Sequence, residues 1–200
     1  MSRIVDNIGF NFIELIDDPK TVEEMISGQK NALRQIGASD VVLTREDLVA
    51  TPRTYAVVAK NLEGQAIGGV RIHSRLGTRK LPIESDSSPV PHAFRKKIEL
   101  EPDVCELRGL WADLTLSKIS ISKLLVSNAL TACYDLKFKS VIALAHLRSY
   151  RFVVAPLGFE LDTRIPPMPY PDERFESMVV WHRGHSVALT KNRDPELRME

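Results

Sequence analysis

The stretch from Val104 to Leu114 (VCELRGLWADL) decides the fold, because it has the composition of a strand and opens a larger unit. Ser117 to Leu136 follows with apolar residues at helical spacing, and Ser140 to Ala145 (SVIALA) is a continuous apolar run typical of a buried strand. A strand, a helix and a strand within about forty residues form a βαβ unit with a right-handed crossover. The strands beginning at residues 104 and 140 are therefore predicted to be parallel neighbours.

The residues before this unit predict a strand and a helix. Phe10 to Ile16 alternates well enough for a strand. Thr21 precedes Glu24 by three residues, which is a capping-box pattern and predicts the start of a helix. Gly37 is predicted to close that helix.

A hairpin and a loop are predicted between the first helix and residue 104. Tyr55 to Lys60 and Ala66 to Ser74 flank a tight turn and predict two antiparallel strands. Leu76 to Pro91 is rich in Gly, Pro, Ser and Asp and predicts a long loop, followed by a helix. The elements predicted after residue 145 are a short helix from Ser149 to Leu157 and two strands, Phe159 to Thr163 and Phe175 to His182. The expected fold class is a mixed α/β sheet.

Length and charge limit the classes of function. At 200 residues the chain is long enough for one medium domain, predicted over residues 1–190, with a charged tail at 191–200. Lys plus Arg (27) nearly cancels Asp plus Glu (26), leaving a formal net charge of +1. Wrapping nucleic acid needs a dense cationic face, so no nucleic-acid partner is expected. A small local site for an anionic ligand stays open.

Cysteine and histidine usage predicts neither a disulfide framework nor a metal site. Cys105 and Cys133 lie in apolar surroundings and are expected to be buried free thiols. The histidines show no ligand spacing with one another or with the cysteines. The N-terminus lacks the pattern of a signal peptide, and no apolar run is long enough to span a membrane. We therefore expect a cytoplasmic protein without a metal.

The order of the predicted elements resembles the GNAT superfamily of acyl-CoA-dependent acyltransferases, and the segment from Glu106 to Phe159 carries much of the resemblance. It implies a GNAT-like fold with a central βαβ crossover, in which the strand carrying Glu106 diverges from the strand at 140–145. The pantetheine arm of the donor enters that gap.

The family's phosphate loop, Arg/Gln-x-x-Gly-x-Gly/Ala, corresponds here to Ser117-Lys118-Ile119-Ser120-Ile121-Ser122, with serine at both glycine positions. Small residues there keep a close backbone approach possible, and the helix dipole favours an anion. The alternative is the first turn of an ordinary amphipathic helix. The donor-binding residues that the resemblance implies are Leu114, Leu116, Lys118, Ile119, Ser120, Ile121 and Ser122.

A narrower similarity points to acyl-homoserine lactone synthases and N-acyl amino acid synthases. It rests on Gly68-Gly69-Val70-Arg71-Ile72, on Leu81-Pro82-Ile83-Glu84 and on the stretch from Cys105 to Trp111. Arg108 lies one place before the position of the arginine in those synthases, and Gly109 takes that position. The similarity implies acyl transfer from acyl-CoA (acetyl-CoA or longer) or acyl carrier protein to a small-molecule amine. The implied substrate-binding residues are Arg71, Arg108 and Trp111, and the alternative for Trp111 is a core anchor.

Acyl transfer to an amine needs a general base and a general acid, and the chain offers candidates for both. Glu106 is the leading general base, and burial could raise its pKa towards neutrality. The alternative is a structural ion pair of Glu106 with Arg71 or Arg108. Many members of the superfamily use a tyrosine as general acid at the position that Val154 occupies here. Tyr150, one helical turn earlier, and His146, at the carboxyl end of a strand, are the candidates that remain.

Three hypotheses about function stay open at this point. The first is an acyltransferase. The second is a GNAT-fold protein that has lost its chemistry and binds a ligand or another protein. The third is an unrelated α/β domain with the same order of elements. Basic clusters at Arg75, Arg79 and Lys80 and at residues 95–97 fit a carrier-protein surface or the outer phosphate of CoA, or are ordinary solvated faces.

Overall fold

The computed structural model describes residues 8–38, 53–75, 80–85, 88–113, 118–170 and 173–184, with only the backbone described at 118–120. The predicted tail at 191–200 lies outside these ranges. The strands are β1 (Gly9–Glu14), β2 (Thr54–Lys60), β3 (Ala66–Ser74), β4 (Val104–Ala112), β5 (Ser140–His146), β6 (Glu160–Leu161), β7 (Met168–Pro169) and β8 (Glu176–Arg183). The helices are α1 (Pro19–Gln35), α2 (His92–Leu100), α3 (Lys118–Asp135) and the helical segment 147–157, which we call α4.

Within these ranges the strands form one mixed sheet in the order β1-β2-β3-β4-β5-β8-β6, and β7 also pairs with β8. β4 and β5 are parallel neighbours joined through α3, which confirms the predicted βαβ crossover. β2 and β3 form the predicted antiparallel hairpin. The fold is the predicted mixed α/β sheet.

The two faces of the sheet carry different layers. Side chains such as Ile72 and Leu107 point towards α3 and α4 and form the largest apolar cluster with Leu125. The same cluster holds Cys105 and Cys133, which are buried free thiols, as predicted, with their sulfurs 3.3 Å apart. The opposite face is covered by α1, by α2 and by a 3-10 turn at Pro82–Glu84, which we call the 82–84 turn.

The start of α1 differs from the prediction, whereas its end agrees. Asp18, not Thr21, caps the helix: its carboxylate accepts hydrogen bonds from the Thr21 N–H at 3.0 Å and the Thr21 hydroxyl at 2.8 Å. Pro19 fits the first helical position because it lacks an N–H. Gly37 has a φ of +74° and closes the helix with backbone hydrogen bonds, as predicted.

The C-terminal elements also differ from the prediction. The predicted strand from Phe159 to Thr163 is limited to β6, because the Asp162 carboxylate accepts from the Arg164 N–H and the Trp181 indole and so turns the chain. The short β7 was not predicted in its proline-dense segment. α4 agrees with the predicted helix but begins two residues earlier, at Leu147, and contains a π-turn at Tyr150–Val154.

One extra residue interrupts β4. Gly69 lies opposite Trp111, whereas Arg71 lies opposite Arg108, so β4 advances three residues where β3 advances two. Such a bulge needs a residue in an unusual conformation, and Gly109 supplies it with a φ of +65°. The bulge shifts the alternation of side chains. Trp111 therefore faces α1, on the same side of the sheet as Arg108.

We expect Gly109→Ala to destabilise the protein more than an ordinary glycine replacement. A Cβ at residue 109 would lie 2.3 Å from Nη2 of Arg71 in addition to the left-handed strain. Gly64 has a φ of +77° but open space around it, so Gly64→Ala measures the strain alone, about 1 kcal/mol. Gly109→Ala should cost about 3 kcal/mol or more, measured by chemical denaturation. Equal losses for the two variants would contradict this account of the bulge.

Candidate active site

A gap opens between β4 and β5. Their parallel pairing runs from Val104 with Ser140 to Leu107 with Ala143, although β4 continues to Ala112 and β5 to His146. The bulge at Gly109 follows directly, and a bulge bends its strand away from the regular ladder. The facing edges at 108–112 and 144–146 are therefore available to hydrogen-bond an extended ligand.

The N-terminus of α3 follows the end of β4. The first four N–H groups of a helix have no partner within the helix, and the helix dipole favours an anion there. Among the residues predicted to bind the donor, Leu114 and Leu116 lie outside the described residues. Lys118, Ile119 and Ser120 form the first helical turn. Ile121 is buried in the core, so only its backbone is available to a ligand, and Ser122 is half-buried.

Glu106 lies in the paired part of β4, on the face opposite α3. Its side chain is 2% exposed. Its Oε2 accepts a hydrogen bond from the Ile83 N–H at 2.7 Å, and Oε1 lies 3.9 Å from Nη1 of Arg108. Burial raises the pKa of Glu106 to about 7, against the opposing effects of Arg108 and the Ile83 N–H. The expected pKa near neutrality is confirmed, and the alternative ion pair with Arg108 is present as well.

Two arginines lie near Glu106 on the same face. Arg71 is buried, and its Nη2 donates to Oε1 of Gln29 in α1 at 2.5 Å. Arg108 is one-third exposed and donates to the Tyr170 hydroxyl at 3.0 Å. Gln29 and Tyr170 were not predicted as partners of these arginines. Each lies far from its arginine along the chain, and no sequence signal marked either pairing.

His146 and Tyr150 lie at the end of β5 and in α4. Nδ1 of His146 accepts from the Arg148 N–H at 3.3 Å, and its ring contacts Phe175 edge-on. Tyr150 begins the π-turn and packs against the α3-side cluster. His146 is four residues beyond Ile142, the partner of Glu106, which is roughly 13 Å along a strand. The structure therefore does not bring His146 into contact with Glu106.

Trp111 lies between α1 and the sheet. It is 6% exposed and packs with Leu15, Val22 and Met25. A Cβ on Gly28 would lie 2.2 Å from its ring, so α1 approaches the indole closely only because residue 28 is glycine. Trp111 also lines a cavity of about 370 Å³ between α1, the start of β3 and the end of β4. This is the environment of a core anchor with one edge at a cavity.

The described ranges hold neither a metal-binding cluster nor a membrane-spanning helix. No group of three or more His, Cys, Asp or Glu side chains there could hold a metal ion. No helix in the same ranges is long and apolar enough to cross a membrane.

The sheet order, the β4–α3–β5 crossover and the interrupted β4 give the chain the GNAT fold. No family model and no curated protein matches its sequence. Among solved structures, the AHL synthase LasI is similar over 96% of this chain and 98% of its own, with a TM-score of 0.64 and 13% identity. An acyl-CoA N-acyltransferase from Pseudomonas aeruginosa has a TM-score of 0.60 and 10% identity over 88% of this chain and 99% of its own. A GCN5-related N-acetyltransferase from Kribbella flavida has a TM-score of 0.57 and 15% identity over 89% of this chain and 98% of its own.

The raised pKa of Glu106 predicts a pH-dependent loss of stability. Between pH 4.5, its ordinary pKa, and about 7, the folded protein holds a proton that the unfolded chain has released. The free energy of unfolding should therefore fall by about 3 kcal/mol across this window from this group and level off above it. Denaturation of wild type and Glu106→Gln between pH 4 and 8 measures the contribution as a difference. Exposed Glu63→Gln is the control and should follow wild type. Parallel curves for wild type and Glu106→Gln would contradict the prediction.

Proposed function

We propose that this chain is an N-acyltransferase, which moves an acyl group from acyl-CoA or acyl carrier protein to the amine of a small-molecule acceptor. The observation that carries the proposal is the gap between β4 and β5, with an ionisable buried carboxyl on the adjoining strand and a helix N-terminus beyond it. Similarity to acyltransferases and to an AHL synthase supports the same class of reaction.

The gap suits an extended thioester arm. Backbone groups at 108–112 and 144–146 would hydrogen-bond the amides of the arm, much as a strand pairs with its neighbour. The N–H groups at the start of α3, around Lys118 to Ser122, would hold phosphates, and Leu114 and Leu116, which precede α3 in the sequence, would contribute to binding the donor. Holding the thioester fixed against the acceptor removes much of the entropic barrier to reaction.

Glu106 would accept the proton of the acceptor's ammonium group, directly or through water. With a pKa of about 7, a large fraction of this carboxyl is ionised at neutral pH and its carboxylate is still a useful base. Arg108, whose guanidinium is one-third exposed, would orient polar groups of the acceptor on this face, and Arg71, which is buried and held by Gln29, would act on them through its charge. Trp111 closes the face behind the bulge.

His146 and Tyr150 are the candidates to protonate the leaving thiolate. Because Nδ1 of His146 accepts the Arg148 N–H, the neutral ring carries its proton on Nε2. That proton would pass to the thiolate, or the Tyr150 hydroxyl, from the first residue of the π-turn in α4, would supply its own.

The test of catalysis is release of free thiol that depends on both a donor and an amine. Acetyl-CoA, a long-chain acyl-CoA and an acylated carrier protein would be assayed against a panel of amines. Glu106→Gln should lower the rate at least about 100-fold, because the general base is lost, whereas Glu63→Gln should not. Wild-type activity should rise with an apparent pKa near 7. An unchanged rate in Glu106→Gln would remove Glu106 from this role.

A second candidate function is a GNAT-fold protein that binds a ligand or a protein without catalysis. The observation that favours it is Val154, which occupies the position of the family's tyrosine and is buried, 5% exposed. Serines at 120 and 122 point the same way. This candidate predicts saturable binding of acyl-CoA, or of a protein, with no amine-dependent release of thiol.

Binding of the donor can be tested apart from catalysis. Saturating acyl-CoA should raise the Tm, since the ligand binds the folded state. Ser122→Asp places a negative charge near the proposed phosphate site and should weaken binding about tenfold. Ser127→Asp, at an exposed position on the same helix, is the control and should bind as wild type. Equal weakening in both variants, or none in Ser122→Asp, would place the phosphates elsewhere.

A further inference from the structure

An ion pair between a buried carboxylate and a partly exposed arginine fastens the 82–84 turn to α2 and to the end of β3. The Glu84 side chain has no exposed surface and accepts from the guanidinium of Arg75, with Nε of Arg75 3.1 Å from Oε1. Arg75 also donates to the carbonyls of Glu101, at 2.6 Å, and Ile98. A buried carboxylate without such a partner would be strongly destabilising, so the pair ties the turn in place.

The turn held in this way reaches Glu106. Glu84 accepts from the Leu81 N–H at 2.7 Å and so fixes the start of the turn. The Ile83 N–H, one residue before Glu84, donates to Oε2 of Glu106, also at 2.7 Å. The Ile83 side chain is buried, which leaves the backbone little freedom to turn away.

We propose that Glu84 and Arg75 are positioning residues for Glu106: the pair fixes the 82–84 turn and so holds the Ile83 N–H on the Glu106 carboxylate. The inference rests on the proposed function and deepens it, because it explains how the base is oriented. It concerns the carboxyl itself, so it can be tested in the absence of turnover.

The charges that face Glu106 come from three elements. Arg108 on β4 and Arg71 on β3 favour its ionised form, as does the Ile83 N–H. Glu84 in the turn favours the protonated form, and burial favours it most. His73, on β3, lies directly opposite Glu106 in the pairing of β3 with β4. Removing the Glu84 charge therefore takes away one of the two influences that raise the pKa of Glu106.

The experiment is a carbon-13 NMR titration of the carboxyl groups, with the Glu106 signal assigned by its loss in Glu106→Gln. Glu84→Gln keeps an oxygen for the Leu81 N–H but removes the charge, so the midpoint of Glu106 should fall by about one pH unit. Arg75→Lys keeps the charge but cannot bridge the carbonyls of Ile98 and Glu101. The hydrogen bond from the Ile83 N–H to the Glu106 carboxylate should then be lost, and the midpoint of Glu106 should rise by about half a pH unit.

The opposite directions separate positioning from general damage, because simple loosening would move both midpoints the same way. Glu99→Gln is the matched control. It breaks the exposed ion pair of Glu99, in α2, with Lys80, which precedes the 82–84 turn, at 2.5 Å. The Glu106 midpoint should stay unchanged in this variant. If Glu84→Gln does not fold, the Arg75→Lys midpoint decides alone. If the Glu106 midpoint in both variants equals that of wild type, or shifts in the same direction in both, the proposal is overturned. That outcome would leave the proposed acyltransferase activity untouched.

Discussion

The left-handed backbone at Gly109 is the constraint on which the rest of the site depends. Only glycine adopts a φ of +65° without strain, and the Arg71 guanidinium occupies the space where a Cβ would lie. The extra residue there turns Trp111 towards α1 and coincides with the end of the pairing between β4 and β5. One backbone conformation thus sets both the packing of α1 and the opening of the gap.

The two faces of the sheet at β4 carry different kinds of side chain. On the α3 side, Cys105 and Leu107 belong to an apolar cluster whose burial stabilises the sheet. On the other side, Arg71, Glu84 and Glu106 are charged or ionisable groups removed from water, which lowers stability unless each is paired. Such groups persist where the surrounding structure holds them, and the 82–84 turn and α1 supply their hydrogen bonds.

The sequence predicted the elements that depend on long apolar patterns and missed the details that depend on tertiary contacts. The β4–α3–β5 crossover, the hairpin and the burial of Glu106 follow from runs of apolar residues. Strict alternation, however, places Trp111 on the wrong face, because the bulge is visible only in the register of two strands. Asp18 replaces Thr21 as the cap because Pro19 starts the helix earlier. The contact of Ile83 with Glu106 joins residues 23 apart through a backbone N–H, which no side-chain pattern encodes.

The GNAT fold is present at 10 to 15% identity to the solved structures compared above, although serines stand at the glycine positions of the family's phosphate loop. A physical reason is that the parts of the proposed site most dependent on the fold would be made by the backbone. A helix N-terminus offers its free N–H groups whatever the side chains at 120 and 122, provided that they are small. The interrupted strand, by contrast, needs glycine at 109 and leaves little choice there. The near-neutral total charge is compatible with the proposed phosphate site, since backbone dipoles can bind an anion without a surplus of lysine and arginine.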